Sequence, residues 1–325
     1  MSRVATAQGR SEGAEARARL TARTRAELRQ PILSAAVQLA DHVRELYGGS
    51  LGPILFYGSC LRADSPEGVM DLYLLTRGHR QFNGSAMLAG LNALIPPNIF
   101  YWETERGGER LRGKGAALTL DQFRASCRFD AWSPSVWARF CQPARLVDAP
   151  KDADVEATVD GVVEAVMTAA RWAALLGPET GTARDYWTAL FAATYSVELR
   201  PERPDRPAQI VDADPERYAA LLPLAWEAAG LAFDRRGEVF HPRLSAAERQ
   251  QAARRWAARR AWGKVLSGLR ISKGVLTFDG GVDYLLWKIE RHSGVRIDAT
   301  DWQKQHPFLA APSVFAKLWR AGAIR

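Results

Sequence analysis

No run of about eighteen uncharged apolar residues occurs in the 325-residue chain, so no membrane-spanning helix is expected. Cysteine is scarce. Cys60, Cys127 and Cys141 make an odd set without CxxC spacing, which argues against a disulfide framework or a zinc site and fits a reducing compartment. The N-terminal stretch lacks the apolar core of a secretory signal, and Glu12, Glu15 and Glu27 break the acid-poor composition of an import signal. Residues 1–29 therefore read as a basic arm, frayed or helical. Acidic residues are outnumbered, 36 against 44 basic ones, leaving a net charge of +8 and a pI near 9.6. Such an excess favours polyanionic partners, whether nucleotides, nucleic acid or an anionic membrane surface, without choosing among them. Hydrophobic content of 47% is ordinary for a globular chain, and this length can hold two or three domains.

What is present falls into two halves. In the first, "PILSAAVQLADHVREL" has apolar residues at helical spacing and stops at Gly48-Gly49. "GPILFYG" and "VMDLYLLT" read as strands joined by a loop from Ser59 to Gly68, and "SAMLAGLNALIPP" as a short helix. "NIFYWETE" alternates, placing Ile99, Tyr101, Glu103 and Glu105 on one face of a strand. "GAALTL" reads as another strand, followed by a helix capped at Thr119 or Asp121. After Pro150 the chain turns Ala-rich and helical, over 155–176 and 183–199, then across "ERYAALLPLAWEAAGLAF". A basic stretch with tryptophans closes it. The expected fold class is α+β: an α/β domain with a mixed sheet at 30–150, a helical domain at 151–245, and a basic helical segment at 246–325.

The most informative stretch is "LFYGSCLRADSPEGVMDLYLL". Gly58-Ser59 ends one strand, and a single carboxylate, Asp71, sits inside the next. One reading is a hairpin or βαβ element with an incidental, satisfied acid. The other is a nucleoside triphosphate site. Glycine lets backbone approach a phosphate, the serine hydroxyl and nearby N–H groups bind its oxygens, and the strand-borne aspartate holds Mg2+. The pattern resembles the nucleotidyltransferase superfamily signature hG[GS]…Dh[DE]h, with Tyr73 where the second acid usually stands. That acid normally helps activate a hydroxyl acceptor. An acceptor that is already an anionic phosphate needs no deprotonation, only positive charge around it, for which Arg62, Lys114 and Arg139 are candidates.

Further segments, "RLRGKGAALTLDQF", "VWARFCQPARLV", "ATYSVELR" and "LSGLRISKGVLTFDGGVDYLLWKI", follow in order. With the Gly-Ser segment they resemble the mitochondrial-type phosphatidate cytidylyltransferases, the translocator assembly and maintenance family, over roughly residues 50–290. The resemblance implies that CTP and phosphatidic acid give CDP-diacylglycerol and pyrophosphate, with Mg2+ as cofactor and no nucleic-acid partner. It implies catalytic roles for Ser59, Asp71 and Lys114 and nucleotide contacts from Tyr57, Gly58, Ser59, Arg62 and Arg139. A metal site of Asp71, completed by Glu103, and lipid or phosphate contacts from Arg200 and Lys273 go with it. Glu103 and Glu105 read equally as solvated strand-end acids, Lys114 as a loop lysine, and Arg200 as a helix C-cap or the partner of Glu198. The expected location is cytoplasmic and peripheral, on the inner face of a membrane. There "RQQAARRWAARRAWGKVL" and "SVFAKLWRAGAIR" have the composition of interfacial helices on anionic lipid. On base rates the first is a solvated domain face. Transfer to a different acceptor, or a catalytically silent protein that binds anionic lipid or nucleic acid, remains open.

Overall fold

The computed structural model describes residues 2–78, 82, 86–106, 108–197, 205–277, 300 and 302. The fold is α+β. Helix α1 spans Ser2–Leu28 and α2 Ser34–Tyr47; strand β1, Leu51–Tyr57, runs into α3, Ser59–Ala63. Next come β2 (Met70–Thr76), α4 (Ala86–Leu94), β3 (Asn98–Arg106), β4 (Glu109–Thr119), α5 (Leu120–Cys127), α6 (Trp137–Phe140) and β5 (Ala144–Asp148). The second half holds α7 (Asp152–Leu176), β6 (Gly181–Thr182), α8 (Ala183–Tyr195), α9 (Arg206–Asp212), α10 (Pro215–Ala228), β7 (Phe233–Arg236), β8 (Val239–Pro242) and α11 (Ala246–Thr277).

The main sheet has the order β3-β4-β2-β1-β5. β2 is central, parallel to β4 and antiparallel to β1, and the other pairings are antiparallel. A strand between two neighbours and under helices on both sides must be apolar on both faces. β2 meets this requirement except at Asp71, half-buried at its start, and at buried Thr76, its last residue. One face, with Ile54, Phe56, Leu72 and Leu74, packs on the Ala36, Leu39, Ala40 and Val43 stripe of α2. The other, with Leu55, Tyr73, Leu75, Ala116 and Leu118, belongs to the same hydrophobic core as Trp172, Trp187 and Trp226 in the second half. Gly161 lets α7 lie close on α5: a Cβ there would stand 2.5 Å from the Phe123 ring. Helix α5 starts with a capping box. The Gln122 N–H donates to Thr119 Oγ1 and the Thr119 N–H to Gln122 Oε1, both at 3.1 Å, so Thr119 is the cap.

Several expectations need correction. The N-terminal segment is helical, as one of the two readings had it, but over 16–28 it is not a free arm, because α1 packs on α7 and α10 and buries Ala16, Leu20, Thr24 and Leu28. These four residues recur every fourth position, a stripe too narrow and too weakly apolar to stand out beside seven arginines in 1–29. The division at residue 150 does not separate two cores, since one cluster crosses it. The segment after Ser59 begins as a helix, β4 starts at Glu109 rather than at Gly115, and β5 and the small β6-β8-β7 sheet had no clear sequence signal. Helix α8 ends at Tyr195; residues 198–204 lie outside the described residues. In the basic α11, Trp256 is core, with ring centroids 5.0 Å from Trp172 and 6.2 Å from Trp137, so only part of that helix is a surface face. The three cysteines are buried, and none of them is in a disulfide.

Candidate active site

One row of register partners crosses the sheet where β1 ends. Tyr57 on β1 faces Asp71 on β2, Asp71 faces Lys114 on β4, and Lys114 faces Tyr101 on β3. Directly paired residues project from the same face, so Asp71 and Lys114 share a side with the large core. Just beyond Tyr57 the chain turns at Gly58, whose φ of +94° and ψ of −157° lie in a region essentially restricted to glycine. A second constraint acts on the same atom: a Cβ on Gly58 would stand 2.6 Å from Asp71 Oδ2. The carboxylate therefore lies against the bare Cα of the turn. Gly58→Ala is expected to destabilise the fold by about 1–3 kcal/mol through backbone strain alone, with the contact adding to it. A denaturant midpoint equal to that of the unchanged protein would contradict this placement.

The turn opens into α3, with Ser59 exposed at its first position. Behind it, buried Cys60 points Sγ toward the Val69 carbonyl at 3.5 Å, tying α3 to the segment that enters β2. Arg62 is half-buried. Its backbone N–H donates to the Gly58 carbonyl at 3.2 Å, and its Nη1 donates to Gln142 Oε1 at 3.2 Å. Gln142 is held by its own amide, which donates to the Ala138 carbonyl at 2.7 Å. Burial lowers the Arg62 pKa from its ordinary value, and the neighbouring charge of Arg206 lowers it further, against the opposing pull of Asp71. Arg139, on α6, donates through Nη1 to the Ser135 carbonyl. The Ser135 hydroxyl accepts from Arg270 Nη1 at 3.3 Å, while Arg270 Nε donates to the Pro96 carbonyl at 2.9 Å. A cavity of about 50 Å³ lies beside Ser135, Arg139, Gln142, Phe191 and Tyr195.

The fold thus brings Tyr57, Gly58, Asp71 and Lys114 into one row at the turn, with Ser59 and Arg62 on the helix it opens into. Arg139 borders the same cavity as Gln142, to which Arg62 donates. Glu103 is not placed with Asp71. Arg112 Nε donates to Glu103 Oε1 at 2.9 Å, and Arg110 Nε lies 3.2 Å from the same oxygen. Its position, two strands over and two residues further along, is about 12 Å from Asp71 by ordinary sheet spacings. The expected completion of a metal site by Glu103 gives way to this ion pairing. Position 73 offers no substitute: Tyr73 is core, 5.0 Å from Phe140 between ring centroids. Among the described residues no group of three or more His, Cys, Asp or Glu forms a metal cage. Arg200 and Glu198 lie outside the described residues, as does the side chain of Lys273.

Gln142, Arg206 and Arg270 were missed in the sequence. Gln142 follows a cysteine within an unremarkable loop, and the two arginines come from distant helices. Only their excess over acids hinted at them.

No protein-family model and no curated protein matches this chain.

Its chemistry must be read from the charges. Asp71 lies in register with Lys114, and its charge acts on that of Arg62.

Proposed function

We propose that this protein is a Mg2+-dependent nucleotidyltransferase that joins CTP to phosphatidic acid, giving CDP-diacylglycerol and pyrophosphate. The observation that carries the reading is the Asp71 carboxylate set against the bare Cα of Gly58, in register with Lys114. That cradle, which a Cβ would fill, fits a magnesium ion. This ion characteristically keeps several waters and takes only one or two protein carboxylates alongside substrate phosphates. Asp71 would hold it, and when bound it would neutralise charge on the triphosphate and the departing pyrophosphate.

The remaining work falls to the chain's own groups. Ser59 and the turn at Gly58 are open to phosphate oxygens, and Lys114 offsets their charge. A phosphatidate oxygen attacks the α-phosphorus in line, the new P–O bond forms, and the bond to the β-phosphate breaks, releasing pyrophosphate. Buried Tyr73 stands where the signature has its second acid, which supports an acceptor that is already anionic and needs no deprotonation. No described helix is long and apolar enough to cross a membrane. On this reading the membrane lipid is reached from the surface, and the location proposed with it is peripheral, on the cytoplasmic face. Trp262, Val265 and Leu269, exposed at i, i+3 and i+7 on α11 beside exposed Arg260 and Lys264, support such a contact.

The test is pyrophosphate release from CTP with vesicles that contain or lack phosphatidate, with and without Mg2+. Release that needs all three components is expected. Triphosphate binding without release would instead make the protein a silent binder, and release with other phosphate acceptors alone would move the acceptor.

A further inference from the structure

Three arginines gather on one pair of rings. Phe129, just past α5, and Trp172 on α7 are stacked, with centroids 5.0 Å apart. The Arg171 guanidinium lies 3.8 Å from the Phe129 centroid, and that of Arg259 on α11 lies 4.4 Å from the Trp172 centroid. Arg255, one turn before Arg259, reaches both rings, at 5.7 and 5.8 Å. The rings attract each cation through their faces, yet carry no net charge, so repulsion among the three guanidiniums remains. Among the described residues none of the three forms an ion pair. The two acids whose charge reaches them have other partners: Asp130 lies 3.3 Å from Arg128, and Glu164 lies 3.5 Å from Arg17. Arg259 is held without being satisfied. It is 2% exposed, its Nε donates to the Trp132 carbonyl at 3.2 Å and its Nη2 to the Ala131 carbonyl at 2.8 Å, while its buried Nη1 has no partner. Burial and then the Arg255 charge push its pKa down to about 10, against the pull of Asp130. A guanidinium stacked on a ring keeps its in-plane N–H groups for an acceptor.

We propose that Arg171, Arg255 and Arg259, aligned on Phe129 and Trp172, form a binding site for a phosphate group, one that uses no residue of the Gly58 turn and does not depend on the transferase reading. The rings set the guanidinium planes, and the carbonyls of the 129–132 segment fix Arg259. Half-buried Arg171 and exposed Arg255 leave the site open to solvent. A phosphate supplies the counter-ion that the chain does not, and its several oxygens match the several N–H edges turned away from the rings. The same chemistry belongs to a soluble phosphate monoester and to a phosphate headgroup on a lipid.

The experiment is calorimetric titration of the full chain with inorganic phosphate, at ionic strength held constant with chloride and without nucleotide or Mg2+. Saturable binding is expected, weakened about tenfold or more in Arg255→Gln, since a charge-assisted contact is lost. Arg255 is exposed, so its replacement leaves the fold intact, which circular dichroism checks. Arg254→Gln removes an equal charge from the neighbouring exposed position and is expected to bind as the parent does. Lys114→Gln, at the other site, is expected to keep the Arg255-dependent binding. Binding that is absent, unchanged in Arg255→Gln, or weakened equally in Arg254→Gln overturns the site. Flotation with phosphatidylcholine vesicles, with and without phosphatidate, separates the two sources. Phosphatidate-dependent flotation that Arg255→Gln lowers assigns the site to a lipid headgroup; flotation indifferent to Arg255, beside Arg255-dependent phosphate binding, assigns it to a soluble ester.

Discussion

Asp71→Asn is expected to lower CTP- and phosphatidate-dependent pyrophosphate release by about three orders of magnitude, with folding stability changed by no more than about 1 kcal/mol. The replacement keeps the side chain's shape, so its packing against the Gly58 turn survives. Only the charge is lost, and in the proposed site that charge is the protein's contribution to holding the magnesium. Asp71 is half-buried beside Lys114 and within the field of Arg62. Neutralising it leaves those cations less well balanced, a modest cost at a partly solvated position. Rate and stability should therefore separate. Retained turnover would remove Asp71 from the metal role; joint loss of turnover and fold would make it a structural acid.

Glu27→Ala should be the most destabilising single change outside the sheet, by about 3–5 kcal/mol. Arg217 is buried. Its Nε donates to Glu27 Oε2 at 2.8 Å and its Nη1 to the Cys141 carbonyl at 2.9 Å. Burial acts to lower the Arg217 pKa, but the Glu27 carboxylate and its other neighbours outweigh it and the net direction is upward. Arginine cannot escape an unpaired buried position by giving up its proton, so removing Glu27 leaves a full charge in the core. Urea unfolding measures the loss as a lowered midpoint at unchanged slope. Glu27→Leu combined with Arg217→Met should recover most of it, because an apolar pair of similar volume has no charge to desolvate. The same pair ties α1 to the segment that presents Gln142, one residue past Cys141. A midpoint near that of the parent would mean that water reaches Arg217.

How much of this was legible beforehand depends on how local the signal is. β1, β2 and β3 were readable because each is a short apolar run whose ends are marked by glycine, proline or polar residues. Asp71 was readable because a carboxylate inside such a run is costly to bury without a purpose or a partner. The pairing of Asp71 with Lys114 was not. It depends on β4 lying parallel to β2, and a parallel neighbour leaves no hairpin in the sequence. Helix α1 was hidden by its composition, as its buried stripe is one side chain wide and every other position except Val4 is polar, alanine or glycine. Glu103 misled for a related reason. Alternation correctly placed it on the face of Tyr101, but which strand lies opposite decides its partner, and that strand carries Arg110 and Arg112. Arg206 and Arg270 gave no warning, since a lone arginine on a polar helix face looks the same whether it faces solvent or a site.

The most direct test of the account is incubation of the full chain with each α-phosphate-labelled nucleoside triphosphate, Mg2+ and phosphatidic acid, followed by organic extraction. The account predicts label in the lipid phase with CTP, in the form of CDP-diacylglycerol, and none with Asp71→Asn. Label that stays wholly in the aqueous phase with all four triphosphates, from a folded protein with saturating lipid, would contradict it.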